Sequence, residues 1–328
     1  MTAPVLVAPD SFKGTFSAAE VAAAVARGLR SAGREAVELP VADGGEGTMD
    51  VLQRVLGGER RTVSVSDPLG RPVEAAFVLL GDGATAVVEA AQASGLALVA
   101  EEERDAFAAS SEGTGELMVA AVAAGADLLL VTVGGSATTD GGMGAVRALD
   151  EAGVDPRLEV LCDVNTPFED APRVFGPQKG ADPATVKRLE RRLDGVAERT
   201  PRDPRGVPMT GAAGGLSGGL WAHRAAELRP GAAYVLDAIG FDDAMRASAF
   251  VVSGEGRLDE QTLAGKVVGE VATRCRQRGV ACHVVCGEDG LSPFHHRLLG
   301  LASVTEAGSV KQLERAGAAL TAGAQPDR

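Results

Sequence analysis

The chain has 328 residues, enough for two domains with separate cores. Apolar residues make up 45% of it and aromatic ones only 3%, so the interior is built from Ala, Val and Leu, as in an α/β protein rather than an aromatic-rich β-sandwich. A net charge of −13 leaves no basic surface to neutralise phosphates, which argues against nucleic acid and anionic membrane as partners.

Val5-Leu-Val-Ala8 reads as a short buried strand. It ends in Pro9-Asp-Ser-Phe-Lys-Gly-Thr15, and Ser17 with Glu20 forms a capping box for a helix running to about Gly33. Asp10 is thus expected at the carboxyl end of a strand, beside Lys13, at the edge where α/β sheets bind ligands. A second βα unit follows, with a strand over 37–42, the loop Asp43-Gly-Gly-Glu-Gly-Thr48 and a helix from Thr48 to Leu56. Parallel pairing of the two strands would set Asp10 and Asp43 on one rim. The pattern then alternates over 61–66, 73–79 and 85–91, an antiparallel meander that puts a domain boundary near residue 66.

Ser110-Ser-Glu-Gly-Thr-Gly-Glu116 is expected as a hydroxyl-and-glycine loop opening on a helix over 117–124. The apolar run Leu128 to Val133 reads as a buried strand that empties into Gly134-Gly-Ser-Ala-Thr-Thr-Asp-Gly-Gly142, with a helix from about Gly144. Glycines there let backbone N–H groups turn toward an oxyanion, and the helix N-terminus adds partial positive charge. Further on come a strand over 158–162 ending in Asp163-Val-Asn165, a polar loop over 174–180 and a charged helix over 183–196. A surface loop over 200–207 leads to the glycine stretch 211–219, which enters a helix through Leu220 and Leu228. A strand over 249–253 ends in a loop over 254–262, and the next helix carries Lys266. Strands over 281–286 and 302–305 follow, and residues 319–328 are expected to fray. With βα units at both ends, the sequence implies a discontinuous parallel-sheet domain, residues 1–66 plus 245–328. Between its two parts the sequence implies an inserted mixed domain, residues 67–244, with a ligand site in the cleft between the two domains.

Only five of the 32 basic residues are lysines, and three of these, Lys13, Lys179 and Lys266, stand beside glycine. A compact ammonium on a flexible stem is a common phosphate contact. The four cysteines contain no C-x-x-C pair, so reduced thiols and a cytoplasmic location are expected. The four histidines show no zinc-binding spacing. The N-terminus lacks a secretory signal pattern, and no apolar run reaches transmembrane length.

Glycine, carboxylates, hydroxyls and three glycine-flanked lysines suit phosphoryl transfer, which needs phosphate cradles, Mg²⁺ held by carboxylates and an acceptor for a hydroxyl proton. Neither a G-x-x-x-x-G-K-[ST] loop nor a G-x-G-x-x-G fingerprint is present, so the sequence predicts neither a P-loop fold nor a Rossmann dehydrogenase. Taken together, Pro9-Asp-Ser-Phe-Lys13, Val41-Ala-Asp-Gly-Gly-Glu-Gly-Thr48, Gly113-Thr-Gly-Glu116, Gly134 to Gly142, Phe175-Gly-Pro-Gln-Lys-Gly180, Gly211-Ala-Ala-Gly-Gly215 and Gly254-Glu-Gly-Arg-Leu-Asp259 with Gln261-Thr262 and Gly265-Lys266 resemble the bacterial type I glycerate kinases, in that family's order and over nearly the whole chain. The resemblance implies ATP- and Mg²⁺-dependent phosphorylation of D-glycerate, usually at the 2-hydroxyl, by two α/β domains, one discontinuous, in a fold unrelated to P-loop kinases. Relatives carry some forty further residues after the central glycine loop. Here only the stretch Arg147 to Arg157 remains there, and Asp163-Val-Asn-Thr-Pro167 departs from the family's Asp-Val-Asp/Asn-Asn-Pro.

On this reading one of Asp10, Asp43, Asp163 and Asp259 takes the hydroxyl proton and others hold Mg²⁺, with Asp163 and Asp140 as the metal candidates. Lys13 and Lys266 join Asp10, Asp43 and Asp259 as the catalytic set. Arg257, Lys179, Ser11 and Gln261 are the candidate glycerate contacts. Gly113, Thr114, Gly115, Gly134, Gly135, Ser136, Thr138, Gly141 and Gly142 are the candidate nucleotide cradle. The expected partners are D-glycerate and ATP, for a monomer or homodimer. The alternatives are a kinase of another hydroxy acid, phosphorylation at the 3-position, or a non-catalytic sugar-acid sensor.

Overall fold

The computed structural model describes residues 3–263 and 266–320. In chain order, β1 (Val5–Pro9), α1 (Ala18–Ser31) and β2 (Ala36–Glu38) lead into α2 (Thr48–Leu56). Next come β3 (Gly58–Ser66), β4 (Pro72–Leu80), β5 (Thr85–Glu89), the short α3 (Ala91–Ser94) and α4 (Glu112–Ala123). β6 (Leu128–Thr132), α5 (Met143–Ala152) and β7 (Arg157–Cys162) follow. Then α6 (Ala171–Phe175), α7 (Pro183–Ala197) and α8 (Ala212–Arg224) precede β8 (Glu227–Pro230). The remainder is α9 (Gly231–Ala238), α10 (Phe241–Arg246), β9 (Val251–Leu258), α11 (Glu260–Leu263), α12 (Val267–Arg278), β10 (Cys282–Asp289), α13 (Pro293–Leu299), β11 (Leu301–Glu306) and α14 (Val310–Ala319). Among the described residues no helix is long and apolar enough to cross a membrane.

The chain divides into two compact units, residues 1–43 with 232–328, and residues 44–231. The first holds a five-stranded sheet in the order β11-β10-β9-β1-β2, parallel throughout. Ser17 caps α1 through the expected box: its hydroxyl accepts the Glu20 amide at 3.3 Å, and its own amide donates to Glu20 at 2.8 Å. The buried stripe Val21, Val25 and Leu29 of α1 packs with Val5 and Val7 of β1 and Leu313 of α14. The second strand, expected over 37–42, is regular only to Glu38 because Pro40 has no N–H to give. Pairing persists around it, with Leu39 N–H donating to Val7 O at 2.9 Å and Val41 N–H to Pro9 O at 3.0 Å, and this delivers Asp43 beside the end of β1.

The second unit holds a six-stranded mixed sheet in the order β3-β4-β5-β6-β7-β8. The meander β3-β4-β5 is antiparallel, and β5 to β8 are parallel. Ala86, Val88, Leu129, Val131, Leu158 and Val160 of its strands are buried with Leu117 of α4 and Leu149 of α5. The chain divides after residue 43 rather than near 66, because β3 pairs with β4 over its whole length. The second division falls at 231/232 rather than 244: Arg274 of α12 donates to Asp237 of α9, to Asp242 of α10 and to the Ala233 carbonyl, fastening both helices to the first unit.

Four other local expectations change. Gly113-Thr-Gly-Glu116 is not a loop but the first turns of α4. Residues 174–180 fold as the end of α6 and a 3-10 turn over Pro177–Lys179. Leu228 lies in β8, not in a continued helix. Residues 254–258 extend β9 and pair with β10 as far as Leu258. Ala319 ends α14; residues 321–328 and Gly265 lie outside the described residues.

Candidate active site

In the first unit the carboxyl ends of β1 and β9 open on a cavity of ≈ 450 Å³ lined by Asp10, Ser11, Lys13, Asp43, Glu255, Arg257, Asp259, Lys266 and Glu288. Its construction follows from the strand register. Pro9 pairs with Gly254, and the Asp10 amide donates to the Gly254 carbonyl at 2.8 Å, so Asp10 leaves β1 level with Glu255. Residues 12 and 13 then cross the end of β9. Glycine at 256 permits this, since a Cβ there would stand 3.2 Å from the Phe12 Cα.

Five carboxylates and three cations share this cavity. Asp10 and Asp43 are buried, and Lys13 lies 3.6 Å from Asp43 with its own side chain largely in solvent. Burial, then the neighbouring Asp43, holds the Asp10 carboxyl well above the usual range, against the Ser11 amide that bonds its Oδ1 at 2.6 Å. Glu255, 6% exposed, is pushed up to about 7 by burial, opposed by a hydrogen bond from the Thr262 hydroxyl and by the charge of Lys266. Asp259 accepts the Gln261 amide at 2.9 Å and so caps α11. Arg257 is exposed and pairs with Glu288 at 3.4 Å.

Of the expected site residues, Asp10, Ser11, Lys13, Asp43, Arg257, Asp259 and Lys266 come together here. Gln261 does not line the cavity and faces solvent. The others belong to the second unit. Gly113, Thr114 and Gly115 are buried inside α4, where a Cβ at Gly113 would meet the Ser66 carbonyl at 1.7 Å and one at Gly115 the Ala145 backbone at 2.7 Å. They serve helix packing, with Thr114 Oγ1 bonded to Ser94 Oγ at 2.7 Å, rather than a phosphate cradle.

In the 134–142 loop only Gly134 and Gly135 reach solvent. Gly134 lies against Gly45, and Gly135 against Glu46, so the loops after β6 and before α2 meet inside this unit. Gly141 and Gly142 are packed against Phe168 and Leu216. Thr138 Oγ1 donates to the Ala213 carbonyl at 3.4 Å. Lys179 is not at a surface contact. Its buried ammonium donates to Ser136 Oγ at 3.0 Å and to the Thr138 carbonyl at 2.6 Å, and burial brings its pKa down to about 7. Asp140 accepts from Ser111 N and Oγ, each at 2.8 Å, from Gly142 N at 3.0 Å and from Gly144 N at 3.1 Å. Those donors reach both of its oxygens and make it a brace of the loop. Asp163 is half-buried at the end of β7. Thr48 Oγ1 and Thr139 Oγ1 are buried without a hydrogen-bond partner among the described residues.

Glu255, Glu288 and Glu89 were missed from the sequence. An acid between two glycines at the end of an apolar run was the available signal for Glu255. Glu89, 4% exposed at the end of β5, accepts the Met49 amide at 2.8 Å, and burial raises its pKa to about 7. Nothing in its local sequence marks it, because its partner is forty residues earlier.

Comparison with known proteins adds a family. A model of the glycerate kinase family matches residues 5–157 and 150–321, two segments that meet in the short α5–β7 connection. The chain is 39% identical to a glycerate kinase of Halalkalibacterium halodurans over 87% of this chain and 86% of that one. It is 40% identical to the glycerate 2-kinase of Escherichia coli K12 over 80% of this chain and 79% of that one. A crystal structure from Salmonella typhimurium LT2, named as a candidate glycerate kinase 2, superposes with a TM-score of 0.83 at 32% identity, covering 98% of each chain. In sequence along most of its length and in fold along nearly all of it, the chain belongs to the glycerate kinase family.

Proposed function

We propose that the protein is an ATP-dependent kinase that phosphorylates D-glycerate at its 2-hydroxyl in the cytoplasm. The observation that carries this reading is the first unit's cavity, where Asp10, Asp43, Glu255 and Asp259 stand with Lys13, Arg257 and Lys266. A small hydroxy acid needs a fork for its carboxylate, a base for its hydroxyl and cations for a transferring phosphoryl group. Arg257 supplies the fork. Lys13 and Lys266 supply the charge, and a carboxylate supplies the base. The relative named glycerate 2-kinase supports the 2-position.

For the nucleotide we assign Gly134, Gly135 and Ser136, supported by the exposure of the two glycines and by the hydroxyls of Thr48 at the start of α2 and Thr139 in the same loop, both without a partner among the described residues. Among the described residues no three acidic, His or Cys side chains gather to hold a metal. Mg²⁺ ordinarily takes one or two carboxylates and completes its shell with phosphate oxygens and water, which suits a single half-buried acid such as Asp163. When bound it neutralises charge on the phosphates.

The test is ADP release from ATP with D-glycerate and Mg²⁺, with the product's phosphate position read by phosphorus NMR. 2-Phosphoglycerate is expected. 3-Phosphoglycerate would overturn the position, and turnover only with a larger hydroxy acid would overturn the substrate.

A further inference from the structure

We propose that Glu255 is the residue that takes the substrate's hydroxyl proton and that Thr262 is the residue that positions it; this rests on the kinase reading above. The other acids of the cavity are committed elsewhere. Glu288 pairs with Arg257 at 3.4 Å. Asp43 pairs with Lys13. Asp259 caps α11 through the Gln261 amide. Asp10 is buried beside Asp43, which with burial holds its carboxyl well above the usual range, and its Oδ1 is taken by the Ser11 amide at 2.6 Å. Glu255 differs in having one oxygen fixed and the other open. Its Oε1 accepts the Thr262 hydroxyl at 2.6 Å, while Oε2 has no hydrogen bond among the described residues and the side chain lines the cavity.

Thr262 is built as a strut. Its side chain is fully buried, and its hydroxyl accepts the Asp259 amide at 3.2 Å while donating to Glu255. Its own amide donates to the Asp259 carbonyl at 3.0 Å. Gly269 of α12 lets that helix sit directly on the Thr262 carbonyl, since a Cβ there would stand 2.1 Å from it. One hydroxyl thus fixes the rotamer of Glu255 and the start of α11 together. The charges facing Glu255 are Lys266, which lowers its pKa, and Asp259 and Asp43, which raise it. Asp10 of the β1 end also faces it, and β10 presents Cys286 in register. A base poised near neutrality suits proton transfer at physiological pH.

In the step, the hydroxyl proton passes to Glu255 Oε2 as that hydroxyl oxygen bonds to the γ-phosphorus. The bond from γ-phosphorus to the bridging oxygen breaks, and its electron pair leaves with ADP.

The experiment measures kcat, KM and the pH profile of kcat/KM for wild type, E255Q, T262V and T262S in one ADP-release assay with D-glycerate. E255Q should lose at least ~100-fold in kcat with little change in glycerate KM. T262V should lose about 10-fold in kcat and move the acid limb of the profile upward, because the bond that lowers the Glu255 pKa is gone. T262S, which keeps the hydroxyl, should return both toward wild type. Wild-type kcat in E255Q overturns the base assignment. An unmoved acid limb in T262V overturns the positioning role, and should T262V not fold, a T262S limb shifted away from wild type overturns it instead. No wild-type turnover on glycerate would sink the kinase reading itself, a result distinct from active wild type with an indifferent E255Q.

Discussion

Replacing Glu89 by Gln should change how stability depends on pH, whatever it does to stability itself. The carboxyl is 4% exposed, and burial raises it from 4.5 to about 7. An acid whose folded pKa lies above its unfolded one binds more protons in the native state between those values. Its contribution is therefore fully present below about pH 4.5 and is lost as pH rises through about 7. For this rise the loss is about 3 kcal/mol in all, of which about 2–3 kcal/mol falls between about pH 5 and about pH 8. Gln keeps a carbonyl for the Met49 amide and removes the ionisation. Any cost of burying its extra NH₂ is the same at every pH. Urea denaturation followed by circular dichroism at several pH values should show Glu89→Gln gaining on wild type by that amount as pH rises. Parallel curves for the two proteins across this range would refute the argument, since they would mean that Glu89 reaches solvent or a cation when it ionises.

Two further substitutions probe other parts of the fold. Gly28→Ala should destabilise the first unit by about 1–3 kcal/mol, because a Cβ there would stand 1.9 Å from the Glu314 carbonyl and push α1 off α14; thermal denaturation checks it, and an unchanged Tm would show that the two helices separate freely. Lys179→Met should cost about 1–3 kcal/mol through the lost donors to Ser136 and the Thr138 carbonyl. With its pKa brought down from 10.5 to about 7, Lys179 binds fewer protons in the native state between those values, so wild-type stability gains a component as pH rises through that window. The Met variant should lack it, and the same upward slope in both proteins would count against the buried ammonium.

The sequence was most legible where one signal acted locally. Ser17 and Glu20 marked the start of α1, and the alternating runs marked β3, β4 and β5. Asp10 and Asp43 were placed on one rim by strand-end reasoning, and the structure brings them into one cavity. Glycine is the ambiguous residue in this sequence. At Gly113 and Gly115 it permits backbone contact between elements rather than a turn toward a ligand, and composition does not separate those uses. The division of the chain is not legible at residue 66, because pairing of β3 with β4 is decided by register and not by the change of pattern there. Glu255 was hidden by taking β9 to end at Ser253. Two glycines looked like a loop, yet they continue the ladder to Leu258 and carry the acid on the strand. Lys179 looked like the other glycine-flanked lysines, and only tertiary burial tells it apart.

The strand order of the first unit has a consequence for how the protein is made. β1 lies between β2 and β9, so its second neighbour is a strand that begins at Val251. A ribosome adding about 5–20 residues per second needs on the order of 10–40 s to get from Asp43 to that strand. Throughout that interval Val5, Leu6, Val7, Val21, Val25 and Leu29, all buried in the finished protein, have only the three-residue β2 beside them and lack β9, β10 and β11, while residues 44–231 emerge with a sheet and a core of their own. Completion of the two sheets therefore runs from the middle of the chain outward. The segment that carries Asp10 is translated among the first and reaches its final partners among the last, so its place in the sheet depends on an intact C-terminal third.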